Sequence, residues 1–182
     1  MKHKFIPISK PSITSLEIDN VTKAVTSGWV SSLGEYVDQF ERDFSEFCKV
    51  DYCLSTSNGT TALHLALLAL GVGPGDEVIV PDLTFIATAN AVKYTGATVV
   101  LVDIDSKTLT IDAGEIRKAI TKKTKVIIPV HLYGHPAYMP DIMIIANEFG
   151  LHVIEDCAEA HGARINGKIV GSWGDINIFS FY

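Results

Sequence analysis

Positive charge is scarce in this chain of 182 residues. Lysine and arginine number 15 against 21 aspartates and glutamates, so the formal net charge is −6. The densest basic run, residues 118–125 (KAITKKTK), is interrupted by apolar residues and is typical of a solvated helix end. Nucleic-acid binding needs clustered lysine and arginine, so this composition argues against a nucleic-acid partner.

Cysteine is also scarce. The three cysteines, Cys48, Cys53 and Cys157, show neither CxxC nor CxxH spacing. We therefore expect no disulfide framework and no structural zinc site. Free thiols fit a reducing compartment, which predicts a cytoplasmic protein.

Long apolar runs are missing as well. No segment approaches the roughly 18 to 20 apolar residues of a membrane-spanning helix, and residues 1–12 (MKHKFIPISKPS) lack the apolar core of a signal peptide. Apolar residues are nevertheless abundant, at 47% against 20% charged residues. This balance predicts a globular protein without a membrane segment, long enough for one domain or part of a larger one.

The first 50 residues predict two amphipathic helices. Residues 14–17 (TSLE) form a capping-box pattern, and Gly28 is suited to a left-handed cap, which together predict a helix over 14–28. A second helix is predicted over 35–47. Its apolar stripe is predicted to be core and consists of Val37, Phe40, Phe44 and Phe47.

From residue 52 onward, short apolar runs alternate with helical segments. The predicted strands are YCLST (52–56), EVIVPD (77–82), TVVLVDID (98–105), KVIIPVHLY (125–133), LHVIED (151–156) and INIFSF (176–181). The predicted helices are TTALHLALLAL (60–70), IATANAVKYT (86–95), DAGEIRKAI (112–120) and MPDIMIIANEF (139–149). This alternation predicts an α/β domain whose mainly parallel sheet is covered by helices on both faces.

The turn before the first of these helices can bind an anion. Asn58 and Gly59 allow a sharp change of direction, and the two threonines that follow bring hydroxyls to the first helical turn. Free N–H groups and the positive end of the helix dipole attract a phosphate there. Ordinary capping by Ser57 or Asn58 explains the same residues, so both interpretations stay open.

Two carboxylates, Glu155 and Asp156, end a buried strand, where ligands of open α/β sheets collect. Only one of the two should face a ligand. No HxE, HExxH or DxD motif accompanies them, which disfavours a metal site. The remaining roles are a general base, a ribose anchor, a partner for a protonated ring nitrogen, or a plain cap. Cys157 and His161 are predicted to be packing and turn residues.

These segments together resemble the DegT/DnrJ/EryC1/StrS sugar aminotransferase family of fold-type I pyridoxal-phosphate (PLP) enzymes. The matching stretches are, in chain order, 27–47, 57–92, 129–139 (PVHLYGHPAYM), 153–163 (VIEDCAEAHGA) and 174–182 (GDINIFSFY). The resemblance implies a three-layer αβα large domain, with residues 1–50 as an N-terminal helical arm. Residues 51–182 would be the N-terminal part of the PLP-binding domain, without the small C-terminal domain.

The resemblance also assigns roles to residues. It implies that the cofactor's 5′-phosphate is bound by Asn58, Gly59, Thr60 and Ser180. Phe85 matches the aromatic residue that stacks on the pyridine ring, although core packing would also explain a phenylalanine there.

Three further positions match the family's site. Asp156 matches the carboxylate that keeps the ring nitrogen protonated, and Glu159 matches a polar residue, often Gln, near the ring 3-hydroxyl. Trp29 matches a segment that lines the sugar pocket, with helix-end packing as the alternative. The catalytic lysine that binds PLP as a Schiff base is expected just beyond Tyr182.

The other lysines are not expected to replace it, because Lys93 and Lys168 are predicted to lie on the surface. The resemblance implies transfer of an amino group from glutamate to a nucleotide-linked keto-sugar, GDP-4-keto-6-deoxy-mannose, for surface polysaccharide (O-antigen, lipopolysaccharide) synthesis. It also implies a homodimer with shared active sites. The alternatives are a PLP-dependent sugar 3-dehydratase, in which histidine replaces the lysine, and a non-catalytic fragment of the fold.

Overall fold

The computed structural model describes residues 5–7 and 10–182, so residues 1–4 and 8–9 of the predicted arm and of the segment tested for a signal peptide lie outside the described residues. The helices are α1 Ser15–Thr26, α2 Glu35–Cys48, α3 Gly59–Ala69, α4 Ile86–Tyr94, α5 Ala113–Ala119 and α6 Met139–Phe149, with a 3₁₀ turn at Leu132–Gly134. The strands are β1 Glu77–Pro81, β2 Thr98–Val102, β3 Thr124–Ile127, β4 His152–Asp156, β5 Arg164–Ile165, β6 Lys168–Ile169 and β7 Ile176–Ile178.

Five strands form one sheet in the order β2-β1-β3-β4-β7, and every pairing in it is parallel. Strands β5 and β6 form a separate antiparallel hairpin, which the apolar pattern did not predict. The parallel sheet confirms the predicted α/β class.

The predicted strand at residues 52–56 is wrong, because this segment pairs with no strand of the described chain. A groove of about 720 Å³ lies between it and the chain around β7. An extended segment becomes a strand only when a neighbouring strand takes up its N–H and C=O groups, and here the groove separates it from one.

Both faces of the sheet are covered, as predicted. Val78 and Val80 lie in one apolar cluster with α3 and α4, whereas Ile79 between them lies in a second cluster with α5 and α6. This alternation follows from the two-residue period of a strand. The result is a three-layer αβα arrangement whose helices bury apolar side chains on both sides.

Helix α1 begins as predicted and buries nothing. Thr14 caps it in a capping box with Glu17, and Gly28 follows its end with a positive φ of 79°. The apolar side chains of this helix, such as Val21 and Val25, are 59% and 62% exposed. Among the described residues, none of the helices combines the length and apolar content needed to cross a bilayer.

The predicted core stripe of α2 is wrong. Only Cys48 of this helix is buried, and Phe40 and Phe47 are 38% and 46% exposed. The rings stack on one another instead, with Phe44 at 5.5 Å from Phe40 and 5.6 Å from Phe47 between ring centroids. Helix α2 lies beside the chain that follows β7 and not against the sheet, so its apolar side has fewer neighbours than a core helix has.

Candidate active site

The predicted site residues follow the carboxyl ends of neighbouring parallel strands. Phe85 follows β1, Asp156 ends β4, and Ser180 follows β7. Parallel strands end at one edge of the sheet, where ligands of α/β proteins bind. The topology therefore assembles these positions from segments that are distant in sequence.

The amino end of α3 has both a cap and free donors. The Asn58 side chain accepts a hydrogen bond from the Thr61 amide at 3.0 Å, so the capping interpretation is confirmed for Asn58. Within the described residues, the backbone N–H groups of Gly59 and Thr60 have no acceptor. Capping and anion binding therefore use different groups of the same helix end, and both are possible together.

Ser180 lies directly against this helix end. A Cβ atom placed on Gly59 would lie 2.9 Å from the Ser180 Cβ and 3.2 Å from its Oγ. Real Cβ atoms do not approach so closely, so only glycine permits this contact. The structure thus brings together Gly59 and Ser180, which are far apart in the chain and were both predicted to contact one phosphate.

Asp156 is a buried carboxylate that lacks a basic ion-pair partner. Its side chain accepts hydrogen bonds from the Thr88 hydroxyl at 2.8 Å and from the Ala158 amide at 3.2 Å. Burial raises the pKa of Asp156, these two hydrogen bonds oppose the shift, and the charge of Glu159 adds to it. No lysine or arginine of the described chain forms a salt bridge with it.

Phe85 is not a core residue, since its side chain is 67% exposed at the start of α4. Three residues later, Thr88 is fully buried and binds Asp156. Helix α4 therefore carries both the predicted ring-stacking residue and the partner of the predicted carboxylate. Sequence analysis missed Thr88, although a hydroxyl on a buried helix face was a usable signal.

Glu159 contacts the 3₁₀ turn at Leu132–Gly134, where the sequence predicted the end of a strand over 125–133 and the structure ends β3 at Ile127. Its Oε2 accepts a hydrogen bond from the Tyr133 amide at 2.7 Å, and Tyr133 has a left-handed φ of 50°. Few non-glycine residues adopt this conformation, so the carboxylate stabilises an uncommon backbone geometry next to the site.

Trp29 is 64% exposed and lines a separate groove of about 550 Å³ with the start of α2. Its ring atoms lie against Gly34, consistent with packing near a helix start. No contact of the described residues joins Trp29 to Asp156 or to Asn58. The structure of one chain does not bring this residue to the other predicted positions.

Glu155 forms a buried network that sequence analysis missed. Its carboxylate accepts hydrogen bonds from the amides of Gly171 (2.9 Å), Trp173 (2.6 Å) and Gly174 (3.0 Å), and it lies 3.0 Å from His131 Nε2. The Ala137 amide donates to His131 Nδ1, so the ring proton is on Nε2 and points at Glu155. Burial alone would raise the pKa of Glu155, but the hydrogen bonds from His131 and Gly171 lower it.

The other polar residues considered in the sequence, Cys157 and His161, are packing residues in the structure. Cys157 is fully buried, and burial raises its pKa well above the ordinary value. Its sulfur lies near His131 and Glu155, whose nitrogen and oxygen atoms already form hydrogen bonds within the protein. His161 packs on Phe179 and Phe181. Both confirm the packing interpretation. Lys93 and Lys168 are exposed, as predicted, and Lys168 Nζ lies 4.2 Å from the centre of the Trp173 ring.

Comparison with known proteins adds family information. The sequence profile of the DegT/DnrJ/EryC1/StrS aminotransferase family matches residues 11–182. A GDP-perosamine synthase of Escherichia coli O157:H7 is 52% identical over 179 residues, which are 98% of this chain and 49% of that protein.

Two further relatives extend the comparison. The UDP-N-acetyl-3-dehydro-α-D-glucosamine 3-aminotransferase of Acidithiobacillus ferrooxidans is 55% identical over 150 residues, which are 82% of this chain and 41% of that protein. The PLP-form structure of Spr1654 from Streptococcus pneumoniae has a TM-score of 0.91 and 35% identity, over 97% of this chain and 49% of that one. The chain spans about half the length or less of the relatives that it matches.

Proposed function

We propose that this chain, which belongs to the DegT/DnrJ/EryC1/StrS aminotransferase family, forms the PLP-binding part of an aminotransferase that acts on a nucleotide-linked keto-sugar. One observation carries the proposal: the amino end of α3 with its free amides, Ser180 and the buried carboxylate of Asp156 all lie at one edge of the sheet. Two of the compared proteins that share this segment are aminotransferases by name, which supports the same chemistry here.

The helix end fits a phosphate. The free N–H groups of Gly59 and Thr60 can donate to phosphate oxygens, and the Ser180 hydroxyl lies beside them. A side chain on residue 59 would fill this space, which supports glycine as a binding requirement. In this proposal Asn58 contributes by capping α3 and so keeps the donors in place.

The carboxylate fits a protonated ring nitrogen. Asp156 is 4% exposed and pairs with no cationic side chain of the described residues, so a pyridinium N–H would be a positive partner for this buried carboxylate. Thr88 fixes the position of the carboxylate with a 2.8 Å hydrogen bond. Asp156 would thus keep the ring nitrogen protonated, and Thr88 would orient Asp156.

Two other side chains complete the proposed cofactor site. Phe85 offers an exposed ring at the start of α4, suited to stacking, and Glu159 is proposed to lie near the ring 3-hydroxyl. When bound, PLP supplies an electron-withdrawing pyridinium ring to the substrate carbon that loses a proton. The residues described here bind, orient and keep that ring protonated.

The proposed substrate is GDP-4-keto-6-deoxy-mannose with glutamate as amino donor, giving GDP-perosamine for O-antigen or other surface polysaccharide. The identity to a GDP-perosamine synthase over almost the whole chain supports this choice. The second relative is named for a UDP-linked sugar, so the nucleotide is the first substrate feature to test.

We further propose a cytoplasmic homodimer in which Trp29 lines the sugar pocket. The exposed apolar side chains of α1 support self-association, because exposed apolar surface is commonly covered by a partner. A dimer would also explain how Trp29, which contacts none of the other site residues in one chain, could reach a shared pocket.

PLP affinity tests the proposal most directly. We expect the purified protein to bind PLP with quenching of its tryptophan fluorescence, and Asp156→Asn to weaken that binding about 10- to 100-fold, since a hydrogen bond to a charged group contributes roughly 1.5–3 kcal/mol. Asp19→Asn, an exposed carboxylate of α1, is the control and should bind PLP normally.

Equal PLP affinity of the Asp156→Asn and unsubstituted proteins would contradict the ring-nitrogen role. Substrate choice is tested with the complete protein that the gene encodes, by mass spectrometry of amino-sugar formed from GDP-linked and UDP-linked keto-sugars with glutamate. An amino-sugar formed only from the UDP-linked substrate would reject GDP-perosamine as the product.

A further inference from the structure

Helix α2 contacts both sides of the proposed phosphate cradle, which is the amino end of α3 together with Ser180. The helix has only one buried residue and so contributes little to the core. Two of its side chains, Glu41 and Phe44, are three positions apart and therefore lie on the same helix face. Each contacts a different segment that leads to the cradle.

Glu41 holds the segment that enters α3. Its Oε1 accepts hydrogen bonds from both the backbone amide of Ser55 at 2.7 Å and the Ser55 hydroxyl at 2.9 Å. Ser55 precedes the cap residue Asn58 by three positions, in the segment that pairs with no strand. In the described chain this segment lacks the ladder that would otherwise hold it, so Glu41 provides an anchor in place of a strand partner.

Phe44 holds the segment that carries Ser180. Its ring meets Phe179 edge to face at 5.0 Å and Phe181 at 5.4 Å between centroids. These phenylalanines flank Ser180 on either side. Because side chains alternate along an extended chain, holding both flanking rings towards α2 turns Ser180 the other way, towards Gly59.

We infer that Glu41 and Phe44 are positioning residues for the phosphate cradle, and that α2 braces the two cradle segments at a fixed separation. This inference rests on the proposed function, since it assigns the brace to a PLP phosphate. It gives α2 a role in cofactor affinity that neither its sequence pattern nor its small buried surface indicates.

The test compares PLP with pyridoxal, which lacks the phosphate. Glu41→Ala and Phe44→Leu should each weaken PLP binding about tenfold, because each change removes either two hydrogen bonds or the two ring contacts to the segment that carries Ser180. Pyridoxal binding, measured by the same fluorescence quenching, should not change. A purely structural role would lower the unfolding temperature without separating the two ligands.

The controls come from the same helix. Glu46→Ala makes the same change at an exposed position without a hydrogen bond, and Phe47→Leu removes a ring that touches Phe44 but neither Phe179 nor Phe181. Both should retain PLP affinity. Because Glu41 lies outside the core, Glu41→Ala should remain folded and can be tested even if Phe44→Leu unfolds.

Two results would overturn the inference: unchanged PLP affinity in Glu41→Ala, or an equal loss of PLP and pyridoxal affinity in both variants. A different result would overturn the proposed function itself, namely an unsubstituted protein that binds PLP no more tightly than pyridoxal. The two failures are therefore distinguishable.

Discussion

The two faces of strand β4 carry neighbouring carboxylates in opposite situations. On the face towards α6, Glu155 accepts three backbone hydrogen bonds and one from His131, and its pKa is lowered. On the face towards α4, Asp156 accepts two hydrogen bonds and forms no salt bridge within residues 5–7 and 10–182, and its pKa is raised. Both are almost completely buried.

We propose that this difference separates a structural acid, Glu155, from a ligand-binding acid, Asp156. Glu155 has its hydrogen-bonding capacity filled by the protein, so it organises the loop at residues 171–174 that leads into β7. Asp156 retains capacity for a positively charged donor from outside the chain. Burial alone does not distinguish the two, whereas the number and charge of their partners does.

The largest expected effect is on stability. Glu155→Gln turns an amide NH₂ towards N–H donors and should lower the free energy of unfolding by about 3 kcal/mol, because two buried donors then lose their acceptor. Glu148→Gln, which breaks the exposed 2.7 Å bridge to Arg117, should cost much less, because water screens this pair. Urea unfolding at pH 7 measures the free energy of unfolding of both variants. Equal losses of stability would contradict the structural role of Glu155.

At neutral pH, the ionised Glu155 should stabilise the folded protein and the ionised Asp156 should destabilise it, and a series of pH values should show both effects disappear in acid. The stability that Glu155 contributes, measured against Glu155→Gln, should be complete above the ordinary pKa of 4.5 and decline as pH falls through the lowered folded value. Without cofactor, Asp156→Asn should be more stable than the unsubstituted protein at pH 7, because the substitution removes a buried charge. That advantage should shrink as pH falls through the raised pKa of Asp156 and vanish below 3.8.

These curves are obtained from urea midpoints at closely spaced pH values. A stability advantage of Asp156→Asn that grows as pH falls would contradict the raised pKa. A stability difference between Glu155→Gln and the unsubstituted protein that stays near zero at every pH would contradict the lowered pKa of Glu155.

The smallest expected effect concerns Glu159. Glu159→Gln keeps an oxygen for the Tyr133 amide, so unfolding should change by less than about 0.5 kcal/mol. Removing its negative charge should lower the pKa of Asp156, because that charge contributes to the upward shift. Carboxyl ¹³C NMR titration measures the pKa, with Asp141→Asn on α6 as control. An unchanged Asp156 pKa would show that the charge of Glu159 does not contribute to the upward shift.

Much of the fold was predictable because its signals are local. Apolar runs, Thr14 and Asn58 as caps, and Gly28 after α1 act through neighbours in the chain, and the structure confirms them. The strand at residues 52–56 and the α2 core stripe were wrong for one reason. Their patterns were suited to strand and core, but neither segment has the tertiary neighbours that those states require.

The site divides in the same way. The strand-end carboxylates and the capped start of α3 could be predicted, while Thr88, 68 positions from Asp156, could not be assigned to it. The same holds for Glu41 and Phe44, whose partners lie elsewhere in the chain. The roles of the predicted cofactor residues stay predictions until the binding experiments are done.

The sequence by itself determined the layered α/β architecture, because hydrophobic period and turn chemistry act over a few residues, and its motifs carried the resemblance to the family. Only the tertiary structure decided that the protein satisfies the hydrogen-bonding capacity of Glu155 and provides Asp156 with no basic partner among the described residues. It also decided which side chains hold the proposed cradle. Those properties depend on hydrogen bonds and ring contacts between distant segments, and on burial that no local pattern specifies.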